Sequence, residues 1–318
     1  MDFNDTPQEA AFRAEARAWL DQNAVLKDPK KSERYGMFSE NESKEMVKQA
    51  QAWQAKKYDA GWACITWPKQ YGGRGGTVME NIIFSQEERR YETPPNVFGI
   101  GLGMAGPTIM YHGTEEQKKR HLPTMARGDI IWCQLFSEPS AGSDLAALRT
   151  RSERQGDEWV INGQKVWTSG AHYSKWGILV TRSDFNAPKH KGLTYFVVDM
   201  ESPGIEIRPI KQMTGGANFN EVFFTNVRIP DANRLDREGN GWAVAITTLM
   251  NERMSIGTGM GLTPDAAYTA LTALAKNCYV NGKPAIENGL VRSKIGEFYS
   301  RLKALELTGY RVLSKLSS

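Results

Sequence analysis

The sequence predicts an α+β protein of several domains: a helical N-terminal domain, a middle domain with an antiparallel, barrel-like β-sheet, and an incomplete C-terminal helical bundle. Three observations support this prediction. Apolar residues recur at helical spacing up to residue 128. Short β-branched and aromatic runs, separated by Gly, Asn and Asp, fill 129–235. Helical spacing then returns, so we expect domains at 1–128, 129–235 and 236–318.

The composition is that of an ordinary globular protein. The 318 residues are 40% hydrophobic and 24% charged, enough for a sizeable core. The net charge of +4 comes from 40 basic and 36 acidic residues spread along the chain, which does not favour nucleic acid as a partner. No apolar run is long enough for a membrane span, and the polar first ten residues lead us to expect no secretory segment. With three widely spaced cysteines, this predicts a cytoplasmic protein that does not contact the membrane.

Helix start signals predict several separate helices in the N-terminal domain. The segment Thr6–Glu9 has the pattern of a capping box with proline at the first helical position. Further helices are expected over about 42–60 and 77–91. A second capping box, Thr114–Gln117, begins a short helix that ends near Gly128.

The middle domain is predicted from strand-like runs bounded by turn residues. The Asn162-Gly163 pair predicts a hairpin turn between two of them, because this pair suits tight β-turns. The expected strands are 130–136, 158–162, 177–181, 193–199 and 221–227.

The C-terminal domain is expected to begin with a helix at Gly239–Gly241 and to break at Asn281–Pro284. The last helix carries an apolar seam at alternating spacings of three and four, with Gly309 filling its one gap, and such a seam requires facing helices. Because the seam runs to the end of the chain, we expect its partner to be another subunit or further C-terminal residues. The seam consists of Ile295, Phe298, Leu302, Leu305, Val312 and Leu316.

Several function classes lack their sequence signals. Gly101–Gly106 matches G-x-G-x-x-G, but a Pro-Pro loop precedes it where a dinucleotide fold needs a strand, so close helix packing is favoured. The four histidines show no ligand spacing, and no metal site is expected. There is also no G-x-S-x-G, Walker or Cys–His signature, which argues against a hydrolase or kinase.

Three features are candidates for chemistry. Phe136–Asp144 is rich in hydroxyls and small residues and could present N–H groups to an anion, although an ordinary turn would have the same composition. Asn162–Ala171 brings Trp167 and two hydroxyls together; the indole could cover a flat ring, or belong to the core. Glu252 lies in an apolar helical stretch, where a carboxylate is costly unless it is functional or paired with an arginine such as Arg253.

The chain resembles the acyl-CoA dehydrogenases, flavoenzymes of fatty-acyl and related thioester oxidation. The resemblance covers the whole chain in order and departs at one detail, Ser140, where the family usually has Gly. The motifs that carry it are Tyr71–Gly73, Gly113–Lys118, Ser137–Asp144, Asn162–Ser169 and Phe219–Val222.

The resemblance implies an FAD cofactor, an acyl-CoA substrate and oxidation to the trans-2-enoyl-CoA. A base removes the α-proton while a β-hydride goes to flavin N5. Glu252 matches one of the two family positions for this base; the other lies beyond residue 318. Ser143 and Arg253 are implied at the acyl-CoA. The implied cofactor residues are Gln134, Phe136, Ser137, Gly142 and Ser143 around FAD and the thioester, and Trp167, Thr168 and Ser169 at the isoalloxazine.

The resemblance also implies partners and leaves alternatives open. The family passes its electrons to an electron-transfer flavoprotein and forms oligomers, so a homotetramer or heterotetramer is expected. The family chain usually continues beyond residue 318. The alternatives are a catalytically weak or silent subunit of a hetero-oligomeric acyl-CoA dehydrogenase, or a flavin oxidase of the same family.

Overall fold

The computed structural model describes residues 4–28, 44–258 and 264–317. The helices are α1 (Pro7–Asn23), α2 (Lys44–Asp59), α3 (Val78–Glu88), α4 (Gly106–His112), α5 (Glu115–Arg127), α6 (Gly241–Thr258), α7 (Pro264–Asn277) and α8 (Gly289–Ser317). The strands are β1 (Val25–Leu26), β2 (Tyr91–Glu92), β3 (Trp132–Leu135), β4 (Arg151–Gln155), β5 (Glu158–Ser169), β6 (Trp176–Arg182), β7 (Leu193–Asp199), β8 (Ile205–Ile210), β9 (Phe219–Pro230), β10 (Arg234–Leu235), β11 (Tyr279–Val280) and β12 (Lys283–Pro284). The helical, β, helical order predicted from the sequence is confirmed.

The described residues fall into two compact units. One takes its residues from 1–35, 85–92 and 256–318, and the other from 36–84 and 93–255. The larger unit contains the whole main sheet together with α2, α4, α5 and most of α6.

Both predicted capping boxes are present. At the start of α1, the Thr6 hydroxyl accepts from the Glu9 N–H at 3.3 Å, and the Glu9 carboxylate accepts from the Thr6 N–H at 2.7 Å. At the start of α5, Thr114 and Gln117 make the same exchange at 3.3 and 2.9 Å. Each exchange satisfies N–H groups that a helix leaves unpaired at its first turn.

In the smaller unit, a buried carboxylate joins α1 to the end of α3. Glu87 is 3% exposed and accepts from Arg13 at 3.2 Å, Arg17 at 3.0 Å and Arg90 at 2.6 Å. Burial by itself would raise the pKa of Glu87, but these guanidinium groups outweigh it and lower the pKa to about 2. The cluster is therefore charged at neutral pH.

Eight strands of the larger unit form one mixed sheet. Its order is β10-β7-β6-β4-β5-β9-β8, with β3 paired to β6. Most neighbours are antiparallel, as expected, but β3 runs parallel to β6, and β4 meets β6 at one parallel position. The parallel strand β3 matters because the loop that follows it carries the first candidate segment.

Both faces of the central strands are covered. One apolar cluster includes Trp132 and Phe136 together with residues of α4, α5 and α6. A second cluster on the opposite face contains Cys133 and Leu135 and inward residues of β5, β7 and β9. Consecutive residues of β3 alternate between the clusters, as strand geometry requires. The side of β3 that carries Trp132 therefore faces the cluster to which α6 belongs.

The predicted hairpin at Asn162-Gly163 is wrong. Strand β5 continues through both residues to Ser169, with a bulge between Ile161 and Gly163 in its pairing with β9. Asn162 uses its side chain to bond Asn226 on β9, accepting from the backbone N–H at 2.8 Å. Gly163 is required by space, because a Cβ there would lie 2.6 Å from the Thr150 hydroxyl. The dipeptide marks a close backbone approach and a bulge.

A tight hairpin does form at another Asn-Gly pair, Asn281-Gly282, where the sequence indicated only a break. Asn281 and Gly282 have φ of 52° and 77° and connect the antiparallel strands β11 and β12. Positive φ at both central residues is what a type I′ turn requires.

Among the strands longer than two residues, β4 and β8 were not predicted. Strand β4 has the charged sequence Arg151–Gln155 and exposes four of its five side chains. Strand β8 lies at the edge of the sheet, contains Pro209 and has no fully buried residue. Strand β4 lacks the apolar content that indicates a strand and is held by pairing with β5. Strand β8 alternates isoleucines with charged residues, pairs with β9, and packs Ile205 and Ile207 against the second cluster.

The glycine motif packs helices, as expected. Gly101–Ala105 forms a π-helical turn that leads directly into α4. A Cβ at Gly106 would lie 2.3 Å from the ring of Trp67, so glycine permits the close packing of the indole. The preceding segment is not a strand, and the dinucleotide interpretation fails.

The apolar seam of α8 divides into two rows. Ile295 and Leu302 are half-buried, while Phe298, Leu305 and Val312 are 44%, 56% and 51% exposed. The predicted end of the seam, the Leu316 side chain, lies outside the described residues, as do the Met254 and Ile256 side chains on α6. In the described part of the chain, no helix is long and apolar enough to cross a membrane.

Candidate active site

The first candidate segment begins at the end of β3. Gln134 is partly buried and shares a face of the strand with Trp132 and Phe136. Phe136 is 4% exposed, and its ring meets the Tyr195 ring edge-on, with 5.8 Å between centroids. The strand thus directs Gln134 towards the side on which α6 packs.

A tight turn follows Ser137. Glu138 and Ala141 exchange backbone hydrogen bonds of 3.0 and 3.1 Å around Pro139 and Ser140. Ser140 is exposed and is not among the described residues with positive φ, so the turn accepts serine without backbone strain. The departure from the family glycine therefore leaves this loop intact.

Beyond the turn, the loop is open. Gly142 and Ser143 are exposed, and a Cβ at Gly142 would meet no atom within 4 Å. The loop is anchored at its far end, because the buried Arg182 guanidinium donates to the carbonyls of Ala146 and Leu148. An open stretch between two fixed ends can approach a ligand without reorganising the core.

A buried ion pair locks the first segment to the second. Lys165 on β5 donates to Glu138 at 2.9 Å and to the Phe136 carbonyl at 3.0 Å. Glu138 also accepts from the backbone N–H groups of Arg149 at 2.7 Å and Thr150 at 2.8 Å. Burial raises the pKa of Glu138, but the Lys165 charge and these donors outweigh it, so the pKa lies below its usual value. Burial lowers the pKa of Lys165 to about 8.

The second segment presents an indole on its surface. Trp167 has φ of 60° and lies at a bulge between Lys165 and Thr168 in the pairing of β5 with β9. Its side chain is 59% exposed and contacts Phe219 edge-on at 6.1 Å. A large aromatic residue in left-handed backbone is uncommon, and such strain is concentrated at functional sites.

The two hydroxyls after Trp167 have different surroundings. Ser169 is exposed, whereas Thr168 is 1% exposed and its hydroxyl oxygen is buried without a hydrogen-bond partner. The Thr168 carbonyl accepts from the buried Asn220 amide at 2.9 Å. An unsatisfied buried hydroxyl in a native structure points to a missing ligand or water.

The candidate base lies against the first segment. On α6, Val244, Ala245 and Thr248 are buried on one face, and Glu252 continues that face by one turn. The Gln134 amide donates to the Glu252 carboxylate at 3.3 Å. Arg253, the next residue, is exposed. Helix α6 thus brings Glu252 to Gln134, which lies two residues before the candidate anion-binding segment Phe136–Asp144.

These observations fit the cofactor that the resemblance implies. An exposed indole, an orphaned hydroxyl and an open, anchored loop suit a large ligand with a flat ring and phosphates. By contrast, no group of three or more His, Cys, Asp or Glu residues could hold a metal ion within the ranges 4–28, 44–258 and 264–317.

The sequence identified the residues of the open loop and of the bulge, but it did not identify the contacts that hold these two segments in place. Glu138 and Lys165 both occur in the sequence motifs, but the motifs did not indicate that the two side chains form an ion pair. Lys165 precedes the apolar pair Val166-Trp167 in a predicted strand, and a lysine buried there would need a partner. The Tyr195 and Thr248 hydroxyls carried no sequence signal.

Comparisons with known proteins agree along the whole chain. Family profiles described as the N-terminal, middle and C-terminal domains of acyl-CoA dehydrogenase match residues 6–129, 133–227 and 239–318. Acyl-CoA dehydrogenase IpdE1 of Mycobacterium tuberculosis is 38% identical over 90% of this chain and 73% of its own length. Acyl-CoA dehydrogenase FadE34 of the same organism is 50% identical over 64% of the chain, and the match spans only 28% of that relative.

Two solved structures have a fold similar to that of this chain over its whole length. The Tcur3481-Tcur3483 steroid ACAD has a TM-score of 0.79 at 29% identity, covering 100% of this chain and 78% of that chain. The ChsE4-ChsE5 complex from Mycobacterium tuberculosis has a TM-score of 0.79 at 28% identity with the same coverage. The three matched domains, in this order and on this fold, show that the chain belongs to the acyl-CoA dehydrogenase family.

Proposed function

We propose that the protein is an FAD-dependent dehydrogenase that converts an acyl-CoA thioester to the trans-2-enoyl-CoA. The observation that carries this proposal is the hydrogen bond between Gln134 and Glu252. It joins a carboxylate on α6 to the strand that begins the open loop, within a chain of the acyl-CoA dehydrogenase family.

In this proposal, Glu252 accepts the α-proton of the thioester. The Gln134 amide donates to Glu252 and so orients its carboxylate before the substrate arrives. When bound, FAD supplies the acceptor for the hydride that leaves the β-carbon. The products balance as one enoyl thioester, one proton on the carboxylate and a two-electron-reduced cofactor.

The remaining residues bind and orient. Trp167 packs its exposed indole on the isoalloxazine, and Thr168 and Ser169 supply hydroxyls near it. Gly142 and the N–H groups of the open loop approach the cofactor and the thioester. The other residues proposed for binding are Phe136 and Ser137 at the FAD, and Ser143 and Arg253 at the acyl-CoA.

An anaerobic acyl-CoA panel tests the proposal. The purified protein should be yellow, and at least one acyl-CoA should bleach its flavin absorbance without oxygen. Reduced protein should reoxidise slowly in air, because fast reoxidation is the behaviour of an oxidase. A colourless protein that takes up no FAD, or a flavoprotein that no acyl-CoA reduces, would contradict the dehydrogenase function.

We also propose that the protein works as a homotetramer or heterotetramer and passes electrons to an electron-transfer flavoprotein. The exposed row of α8 supports association, since Phe298, Leu305 and Val312 are exposed apolar residues that recur every seven positions along the helix. The similar ChsE4-ChsE5 structure is a complex of two differently named proteins, which favours the hetero-oligomeric alternative. Light scattering, alone and with candidate partner subunits, measures the assembly; a stable monomer with full flavin content would exclude it.

A further inference from the structure

Three buried hydroxyls connect α4, β7 and α6. The Tyr195 hydroxyl lies 2.9 Å from the Thr248 hydroxyl, which lies 2.9 Å from the Thr108 hydroxyl. Each of these three residues is completely buried. They lie inside the larger unit, which also contains Gln134 and Glu252.

Two carbonyls that only accept flank the threonine pair: the Met104 carbonyl lies 2.8 Å from the Thr108 hydroxyl, and the Val244 carbonyl lies 3.2 Å from the Thr248 hydroxyl. Tyr195 donates to Thr248. Of the two threonine protons, one joins the two hydroxyls and the other goes to one of these carbonyls, so every hydroxyl proton has an acceptor. Burial raises the pKa of the Tyr195 hydroxyl, which keeps it protonated as the donor. A fully satisfied buried network holds its members in one arrangement.

A second contact beside the first stops α6 from rotating. Thr247 and Thr248 are adjacent on α6, and His112 and Thr108 lie one turn apart on α4. The His112 ring nitrogen lies 2.9 Å from the Thr247 hydroxyl, and its other ring nitrogen lies 3.0 Å from Asp236. Two side-chain contacts to one helix, at different points on its circumference, define both its axial position and its rotation.

This anchoring point lies one helical turn before the proposed base. Thr248 and Glu252 are separated by four residues and share a face of α6. Tyr195 also packs against Phe136, which is two residues after Gln134. The hydroxyl chain therefore links α6 to the same strand segment that Glu252 reaches.

We propose that Tyr195, Thr248 and Thr108 are positioning residues that hold Glu252 opposite Gln134. The inference rests on the proposed function in taking Glu252 as the base. These hydroxyls do not touch the substrate; they set the height and rotation of the helix that carries the carboxylate. A displacement of the carboxylate by about 1 Å would reduce the rate by on the order of 10²-fold.

The test compares Thr248→Val, which removes the hydroxyl and keeps the shape, with Thr248→Ser, which keeps the hydroxyl. Tyr195→Phe interrupts the chain from the other side, should the valine variant fold poorly. Thr181→Val is the matched control. Thr181 is also completely buried and lies 2.7 Å from the Ser152 hydroxyl, but it belongs to the opposite face of the sheet from Tyr195.

Two quantities are measured. One is the rate of anaerobic flavin reduction at saturating acyl-CoA, together with the dissociation constant of the substrate. The other is the Gln134 Nε2 to Glu252 Oε2 distance in crystal structures of the variants, which does not depend on turnover. We expect Thr248→Val and Tyr195→Phe to lengthen this distance and to slow reduction by about 10- to 100-fold, with little change in substrate affinity. Thr248→Ser should restore the rate, and Thr181→Val should leave both quantities unchanged.

The outcomes separate this inference from the proposed function. If Thr248→Val keeps the distance and the rate, or is no more impaired than Thr181→Val, the positioning role is wrong. If no acyl-CoA reduces even the unmodified protein, the proposed function fails, and the crystallographic distance still decides the positioning role.

Discussion

The Lys165 ammonium lies 2.9 Å from the Glu138 carboxylate, and both side chains are buried. The two residues belong to different candidate segments, one following β3 and the other within β5. Their contact is accompanied by a backbone hydrogen bond of 2.9 Å from Val166 to the Ser137 carbonyl. The open loop and the exposed indole are thus two parts of one braced structure.

Breaking this pair should destabilise the protein strongly. Glu138→Gln leaves the Lys165 charge buried without its counterion, and such losses cost about 3–5 kcal/mol. Adding Lys165→Met removes the stranded charge, so the double variant should recover part of the loss. Urea unfolding of the single and double variants measures this coupling.

A surface pair provides the control. Asp144 accepts from Lys189 at 2.9 Å, but both side chains are more than half exposed. Asp144→Asn should change the free energy of unfolding little, because solvent screens exposed pairs. Equal losses in Asp144→Asn and Glu138→Gln would mean that burial of the Glu138–Lys165 pair has no special importance.

Trp167→Ala should weaken FAD retention or shift the flavin spectrum while leaving the fold intact. The indole is 59% exposed, so its removal costs little core packing, and alanine meets the same backbone strain at φ of 60°. Flavin content and absorbance after purification measure the effect. Phe185→Ala, at a second exposed aromatic residue, is the control. Identical flavin content and spectra in both variants would refute the stacking role.

A buried histidine should make the protein sensitive to mild acid. His121 is 3% exposed and packs edge-on against Trp132 and Trp176 at 5.2 and 4.8 Å. Burial lowers its pKa to about 4. The unfolded chain, with an ordinary pKa of about 6.5, then binds protons more tightly, so stability is complete above that pH and falls towards pH 4.

Between pH 7 and pH 5, this histidine should remove about 2 kcal/mol from the free energy of unfolding. His121→Phe keeps an aromatic ring and cannot titrate, so its stability should depend less on pH over that interval. Urea unfolding at pH 7 and pH 5 measures this difference. If the unmodified protein and His121→Phe lose the same free energy of unfolding between these pH values, groups other than His121 cause the acid sensitivity.

The arginine cluster around Glu87 should respond at lower pH. Burial opposes the charge of Glu87, but three guanidinium groups outweigh it and lower the pKa to about 2. The stabilisation is complete above an unfolded pKa of about 4.3 and is lost as the pH falls through that value towards 2. Glu87→Gln should be destabilised at pH 7 and should lose less further stability on acidification. An unchanged acid transition in this variant would contradict the cluster's role.

The sequence predicted element types well where one local rule applied. Capping boxes at Thr6 and Thr114 worked because their hydrogen bonds are made within one helical turn. The Asn162-Gly163 prediction failed because the contacts that decided it, Asn226 and Thr150, are distant in sequence. Strand β4 was missed because its pairing with β5, rather than its own charged side chains, holds it in the sheet. Strand β8 was missed although it alternates isoleucines with charged residues, because it is short and contains Pro209.

The sequence motifs predicted which residues belong to the candidate site, but not their backbone conformations or the contacts that hold them. Trp167 and Ser143 lie at exposed positions, as a ligand-facing role requires, and Glu252 is joined to Gln134. The sequence could not reveal the positive φ of Trp167 or the different surroundings of Thr168 and Ser169, because a bulge in β5 determines both. It also could not reveal the hydroxyls that hold α6, since threonine and tyrosine are common in cores.

The most direct test of the proposed mechanism is the rate of anaerobic flavin reduction in Glu252→Gln. The amide has nearly the same shape and should retain FAD and bind acyl-CoA, but it cannot accept the α-proton. Reduction should therefore slow by about 10²–10⁴-fold. Glu221→Gln is a matched control, because Glu221 also accepts from a glutamine side chain, that of Gln164, at 2.8 Å. A folded Glu252→Gln protein that reduces its flavin as fast as the control would remove Glu252 from the catalytic role.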